Sequence, residues 1–519
     1  MKITKWILAV CCLFLVSQAQ AGEPVEKLYA THCASCHGPD RLGGTGPALL
    51  PENLERLRRP EAVKTIAQGR AASQMAGFSG KLSKDDIEAL ASFIYTSLPQ
   101  VPVWGEKEIS ASHVQYGDPG SLSDKPVFKA DPLNLFVVVE LGDHHATLLD
   151  GDKFEPILRF PTRFALHGGP KFSPDGRYVY FASRDGWISK FDIYNLKTVA
   201  ETRAGINSRN LAVSGDGKTV LVGNYLPHSL VLLNADDLSL IKIIPAVGED
   251  GKSSRVSAVY QAEPRGSFIA ALKDVKEVWE IPYTVQSQGN GWQRSYDPSF
   301  AGMVTGARTF PVRRIVVDDY LDDFFFDQSY RHLISTARDS RKGHVLDLDT
   351  GKKVADLDLP GMPHLGSGIT WNYQGHPVMA TPNMKEGVVT VIDMQTWKTI
   401  KHIKTPGPGF FMRSHENTRY AWTDGFATGD PKSRDTMTLI DKDTLEVAHV
   451  LRPSPGKTAA HVEFTRDGKY ALVSIWEMDG ELVIYDTGTL KVVKRIPMKK
   501  PSGKYNVYNK ITRSAGTSH

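Results

Sequence analysis

Two textures of apolar patterning divide the chain. In the first hundred residues apolar side chains recur at helical spacing. Ile87, Leu90, Ala91, Ile94 and Tyr95 follow Ser83, which has Asp86 three residues on and so resembles an acidic capping box. Glu26–His32 and Pro60–Gly69 predict two more helices, and Gly43, Gly44, Gly46 and Pro47 mark a loop between them. Residues 22–98 thus read as a small all-α domain. Residues 99–126 are punctuated by proline and glycine and read as a linker.

Beyond the linker the period shortens to that of strands. A unit of roughly 40 to 50 residues recurs, a polar turn followed by two or three β-rich runs. The turn shows as Pro174-Asp175-Gly176, Asp216-Gly217, Pro264-Arg265-Gly266, Gln374-Gly375 and Asp467-Gly468. The outgoing strand ends on an acid or amide at Asp192, Asn234, Asp347, Asp393, Asp441 and Asp486, the last three 48 and 45 residues apart. With a weaker first unit at Asp131 to Phe160, about eight units fit before Pro497. A four-stranded unit cannot bury both faces alone, so residues 127–519 predict an all-β eight-bladed propeller. A β-sandwich is the alternative, but the run of strands exceeds its usual size.

The first 21 residues change the picture of where the chain goes. Lys2 and Lys5 precede a short apolar stretch, Trp6 to Val16, and Ala19-Gln20-Ala21 is a small-residue cleavage site, so residues 1–21 read as a secretory signal peptide rather than a membrane anchor. Removal takes Cys11 and Cys12 with it and lowers the formal charge from +4 to +2. The two remaining cysteines lie in Cys33-Ala34-Ser35-Cys36-His37, the pattern that attaches one heme covalently through both thiols, with His37 beneath the iron. A periplasmic location agrees with both features. The modest charge, with no basic run, excludes nucleic acid as a natural partner.

Residues 22–98 resemble the cytochrome c domain over their whole length. In that family a methionine before the last helix is the sixth iron ligand, which the resemblance assigns to Met75. A helical cytochrome c domain followed by an eight-bladed propeller resembles the cytochrome cd1 nitrite reductase family, whose propeller holds heme d1 non-covalently. Phe164-Ala165-Leu166-His167 is similar to the strand of the proximal ligand, which implies His167 as that ligand. Ser183-Arg184-Asp185-Gly186, Asn207-Ser208-Arg209 and Gly223-Asn224-Tyr225 resemble the next heme-contacting stretches, and Pro501–Asn509 the closing strand. Arginines meet carboxylates through paired charged hydrogen bonds. Arg184, Arg209 and Arg413 are therefore clamp candidates for the tetrapyrrole carboxylates, with Tyr225 as hydroxyl donor and Trp476 as aromatic neighbour.

Departures from the reductase pattern set the expected reaction. Asp322 stands where a reductase carries one distal histidine, His364 matches the other, and His461 is additional. The arm before Cys33 is short. This pattern resembles the biosynthetic branch of the family, which oxidises a propionate of dihydro-heme d1 to acrylate in the last step of heme d1 synthesis. The resemblance implies His461 as distal ligand and His364 as proton-handling group. It also implies electron exit through heme c to a soluble acceptor, and transfer of the product to the reductase. Nitrite reduction and a non-enzymatic heme d1 carrier are the alternatives.

Overall fold

The computed structural model describes residues 23–43, 46–54, 57–69, 75–100, 102–284, 310–337 and 342–513; the signal peptide expected over residues 1–21 lies outside them. Five helices build the N-terminal unit: α1 (Val25–His32), α2 (Ala34–His37), α3 (Pro51–Leu54), α4 (Arg59–Gln68) and α5 (Lys84–Ile94). α5 starts as its sequence dictates. The Ser83 hydroxyl accepts the Asp86 N–H at 3.1 Å and the Asp86 carboxylate accepts the Ser83 N–H at 3.2 Å. Its buried stripe, Ile87, Leu90, Ala91 and Ile94, packs on Leu28 and Tyr29 of α1 and on Ala62 and Ile66 of α4.

The segment read as a linker has structure of its own. α6 (Glu106–Ser112) sinks Ile109 into a propeller core, and Val114–Gln115 pairs antiparallel with Lys197–Arg203. Proline and glycine mark its turns, while Ile109, Trp104, Ser112 and a two-residue pairing fasten it to the propeller flank.

Eight sheets follow around a ring, seven with four strands and one widened to five by Val114–Gln115. Blade 1 is closed by the chain end: Pro501–Asn506 pairs with Leu135–Glu140, Val137 opposite Tyr505. This ties the last segment to the first, and α7 (Val507–Ile511) completes the closure with Val507 fully buried. The innermost strands of blades 2 to 8 begin at Lys171, Asn207, Val256, Leu321, Ile369, Met412 and Ala459. Middle strands such as Leu135–Glu140 and Ser267–Leu272 are buried at every position because sheets cover both faces; outermost strands such as Pro156–Pro161 are largely open.

The acid at each strand end acts through the backbone. Asp393 Oδ1 accepts N–H bonds from Gln395 and Thr396 at 2.8 Å each, and Asp441 and Asp486 hold their turns in the same way. The chain then passes through a left-handed residue, with φ of 55° to 62° at Leu196, Leu238, Trp397, Leu445 and Leu490. Such a conformation costs about 1–2 kcal/mol for a residue with a Cβ, and complete burial of Leu238 and Leu445 offsets it.

The helical unit docks on blades 2 and 3. Ala48 and Leu50 meet Ile206 and Leu226, with Leu42, Leu98 and Trp104 around them.

Candidate functional site

Cys33 caps the end of α1 and the start of α2, which places Cys36 one turn further and His37 next to it. Both cysteines are free thiols rather than a disulfide, and burial pushes Cys33 up to about 11. The Nδ1 of His37 lies 2.7 Å from the Pro47 carbonyl oxygen. A carbonyl can only accept, so Nδ1 carries the proton and the Nε2 lone pair is left for a metal. Burial also lowers the His37 pKa, favouring the neutral ring that iron needs. A Cβ on Gly46 would come within 2.8 Å of that ring, so the loop can pass only as glycine. Two free thiols and an oriented imidazole fit a covalently attached heme. Met75 stands half-buried in the loop between α4 and α5.

A cavity of about 930 Å³ lies within the propeller and is walled by inner strands and the loops that lead into them. His167 enters it from the start of blade 2. Its Nδ1 lies 2.7 Å from the Arg209 carbonyl oxygen, and the Arg209 guanidinium reaches its Nε2 at 2.9 Å. His364 enters from the start of blade 6, four blades round a ring of eight and hence on the opposite side. It repeats the arrangement: Nδ1 donates to the Phe410 carbonyl at 2.5 Å, and the ring lies 4.0 Å from that of Phe410. Burial lowers its pKa, so the imidazole is neutral and able to take a proton.

Two arginines, Arg209 and Arg413, stand in the wall. Arg413 is buried, donates Nη1 to its neighbour's carbonyl at 2.7 Å, and keeps Nε without a partner among the described residues. The indole N–H of Trp476 is likewise without a partner among them. Buried donors left in this state are costly, and a carboxylated macrocycle is the kind of ligand that satisfies them. Arg209, Arg413, Trp476, His167 and His364 all line the cavity.

Three sequence candidates stand outside the wall. Arg184 sits on the turn after Tyr178–Ala182 and holds that turn through its backbone, donating N–H to the Ala165 carbonyl at 3.1 Å. Tyr225 lies behind Lys273, its ring 5.6 Å from the ammonium, and so supports a wall residue rather than forming the wall. His461 is fully buried behind Phe411 and Tyr505, its ring 4.8 and 5.3 Å from theirs, and both of those line the cavity. It occupies a bulge, unpaired between Ala460 and Val462, with φ of 49°. Bulges re-aim side chains next to functional sites. Its Nε2 has no partner among the described residues, and burial with the Lys504 ammonium holds its pKa well below the usual range.

Sequence reasoning missed Lys273, Tyr260 and Asp323. Lys273 pairs with Asp322 at 2.9 Å. Tyr260 donates to Asp323 at 2.9 Å, and the second oxygen of Asp323 accepts the Gly366 N–H at 3.1 Å beside His364. Asp322 and Asp323 fill a bulge in the innermost strand of blade 5. Tyr260 and Lys273 belong to blade 4 and Asp323 to blade 5, and no local pattern marks them.

Comparison with known proteins assigns both domains of the chain to families. Residues 130–296 and 303–510 match the Cytochrome D1 heme domain, and residues 20–94 match the family described as cytochrome C oxidase, cbb3-type, subunit III. The chain is 58% identical over 508 residues to the dihydro-heme d1 dehydrogenase of Pseudomonas aeruginosa, covering 98% of both. It is 25% identical over 540 residues to the nitrite reductase of Stutzerimonas stutzeri, covering 95% of this chain and 93% of that one. A solved structure of dihydro-heme d1 dehydrogenase NirN in complex with DHE superimposes with a TM-score of 0.86 at 57% identity, covering 94% of this chain and all of that one. With its helical cytochrome c domain ahead of an eight-bladed propeller, the chain belongs to the cytochrome d1 heme-domain family.

Proposed function

We propose that this chain oxidises a propionate of dihydro-heme d1 to acrylate, completing heme d1 synthesis in the periplasm. The observation that carries the reading is the salt bridge between Asp322 and Lys273 in the cavity wall. A carboxylate neutralised by a lysine cannot supply the proton that nitrite reduction draws from a distal histidine. Removing hydrogen from a side chain needs no such donor.

The reaction converts –CH₂–CH₂– to –CH=CH– next to the carboxylate, releasing two protons and two electrons. Arg209 and Arg413 hold the carboxylates. With the Arg209 guanidinium paired to a carboxylate instead of to Nε2, His167 would be the proximal iron ligand. His461, behind Phe411 and Tyr505 with its Nε2 unpartnered among the described residues, would be the second iron ligand. His364, neutral and fixed by the Phe410 carbonyl, takes a proton from the side chain at Nε2. Cys33, Cys36, His37 and Met75 would hold heme c, which would supply a one-electron acceptor between the tetrapyrrole and a soluble partner. The finished heme d1 passes to cytochrome cd1 nitrite reductase, for which it is the cofactor. Among the described residues no helix is long and apolar enough to cross a membrane.

The test is anaerobic incubation with the precursor and a one-electron acceptor, read by absorption and mass. Loss of two hydrogens per tetrapyrrole is the expected result. His364→Ala retains binding but slows conversion by about 10²–10⁴-fold, the range for a lost general base. Turnover of nitrite to nitric oxide without any desaturation would sink the reading.

A further inference from the structure

Arg203 belongs to neither heme site, yet it is bonded to the loops of both. It ends the strand Lys197–Arg203 at the domain boundary and is buried. Its Nη2 donates to the Leu42 carbonyl in the helical unit at 2.6 Å, and its Nε donates to the Asp185 carbonyl in blade 2 at 2.8 Å. Its own peptide is held on both sides: the N–H donates to the Ser112 hydroxyl at 2.9 Å, and the carbonyl accepts the Trp104 indole N–H at 2.9 Å. The Trp104 ring lies 4.6 Å from the guanidinium carbon. A buried cation is expensive. The apolar contact of Leu50 with Ile206 and Leu226 is non-directional and does not by itself set a register between the domains. A planar fork spanning two carbonyls fixes their register.

The hydrogen bonds continue outward from both ends of that fork. Gly43, next to Leu42, donates its N–H to the His37 carbonyl at 2.8 Å. Arg184, next to Asp185, accepts the Ser208 N–H at 3.2 Å, and Arg209, next to Ser208, accepts Nδ1–H of His167 at 2.7 Å. Steps between adjacent residues are all that separate these bonds, so one continuous path joins His37 to His167. It explains what Arg184 does while standing outside the cavity wall: its carbonyl is a link in the path.

We propose that Arg203 is the positioning residue that couples the two sites, locking the His37 loop against the His167 shelf and completing a hydrogen-bonded route for single electrons. The proposal rests on the reading of His167 as the tetrapyrrole ligand. Each transfer oxidises the tetrapyrrole side by one electron and reduces ferric heme c by one. No bond breaks in that step, and the protons leave separately through His364.

The experiment uses the full-length protein carrying heme c, and its readouts do not depend on turnover. Coupling between sites is reciprocal. In the parent protein, bound heme d1 therefore shifts the heme c midpoint potential, measured by spectroelectrochemistry with and without heme d1. In Arg203→Met that shift is lost, and with it the difference in heme d1 affinity between the oxidised and reduced protein, while the heme c spectrum and the heme d1 absorption band stay those of the parent. Flash-initiated electron transfer between the two hemes slows as well. Arg203→Lys keeps the charge but can reach only one carbonyl, so it falls between. A potential shift and transfer rate equal to the parent's in Arg203→Met overturn the proposal; if that variant does not fold, parent values in Arg203→Lys overturn it. Failure of the underlying site reading has its own signature: His167→Ala would then bind heme d1 with an unchanged spectrum.

Discussion

The helical unit and the propeller each fix a histidine through its Nδ1 on a backbone carbonyl, and they build that histidine's surroundings in opposite ways. Around His37 every participant is local: both thiols lie within four residues, and Pro47, which fixes the ring, is ten residues on. Around His167 almost nothing is local. Arg209 lies one blade away, and His364 and Arg413 come from blades 6 and 7. The same device orients all three imidazoles, a carbonyl holding Nδ1 so that the lone pair of the neutral ring sits on Nε2. A local site survives changes elsewhere in the fold, whereas an assembled one depends on the ring being closed.

The contrast is tested most severely at the thiols. Cys33→Ala with Cys36→Ala should abolish covalent heme, read as a heme stain after denaturing electrophoresis, while the propeller still binds heme d1 in an absorption titration. Loss of both together would mean that the two sites are not separable.

A smaller effect probes the assembled site. Arg413→Met should weaken heme d1 binding by about 1.5–3 kcal/mol, the scale of a hydrogen bond to a charged group, with the heme c spectrum unchanged. Unaltered affinity would remove Arg413 from the clamp.

The smallest effect is a pH dependence that belongs to the propeller. Asp424 is buried and accepts N–H bonds from Phe410, Phe411 and His461 at 2.7, 3.2 and 3.1 Å. Burial outweighs these bonds and pushes its carboxyl up to about 7. With the folded value raised, folding binds a proton. The contribution to stability is full below about pH 4 and is lost as pH rises to about 7. Asp424→Asn should flatten that segment of the denaturant midpoint-versus-pH curve. A curve with the same slope in parent and variant would assign the titration to another group.

Legibility follows the same division. The capping box at Ser83, the thiol motif, the turn acids at Asp393, Asp441 and Asp486, and the closing strand at Pro501 each act over a few residues or repeat along the chain. All of them can therefore be read from the order of residues alone. Arg184 and Tyr225 fit a heme-contacting stretch by local resemblance, yet neighbouring blades place them one layer back. Lys273 carries no local mark at all. Its meaning comes from Asp322, forty-nine residues away on the next blade.

The amino-acid sequence by itself determined the attachment of heme c, the strand repeat and thus the propeller, because covalent chemistry and hydrogen-bond periodicity are set by near neighbours. The tertiary structure alone decided which cations face the cavity, that His461 lies behind Phe411 and Tyr505, and that Arg203 spans the two domains. Those outcomes depend on how eight sheets tilt around a shared axis. Side chains hundreds of residues apart meet there only after each blade has buried its faces against the next.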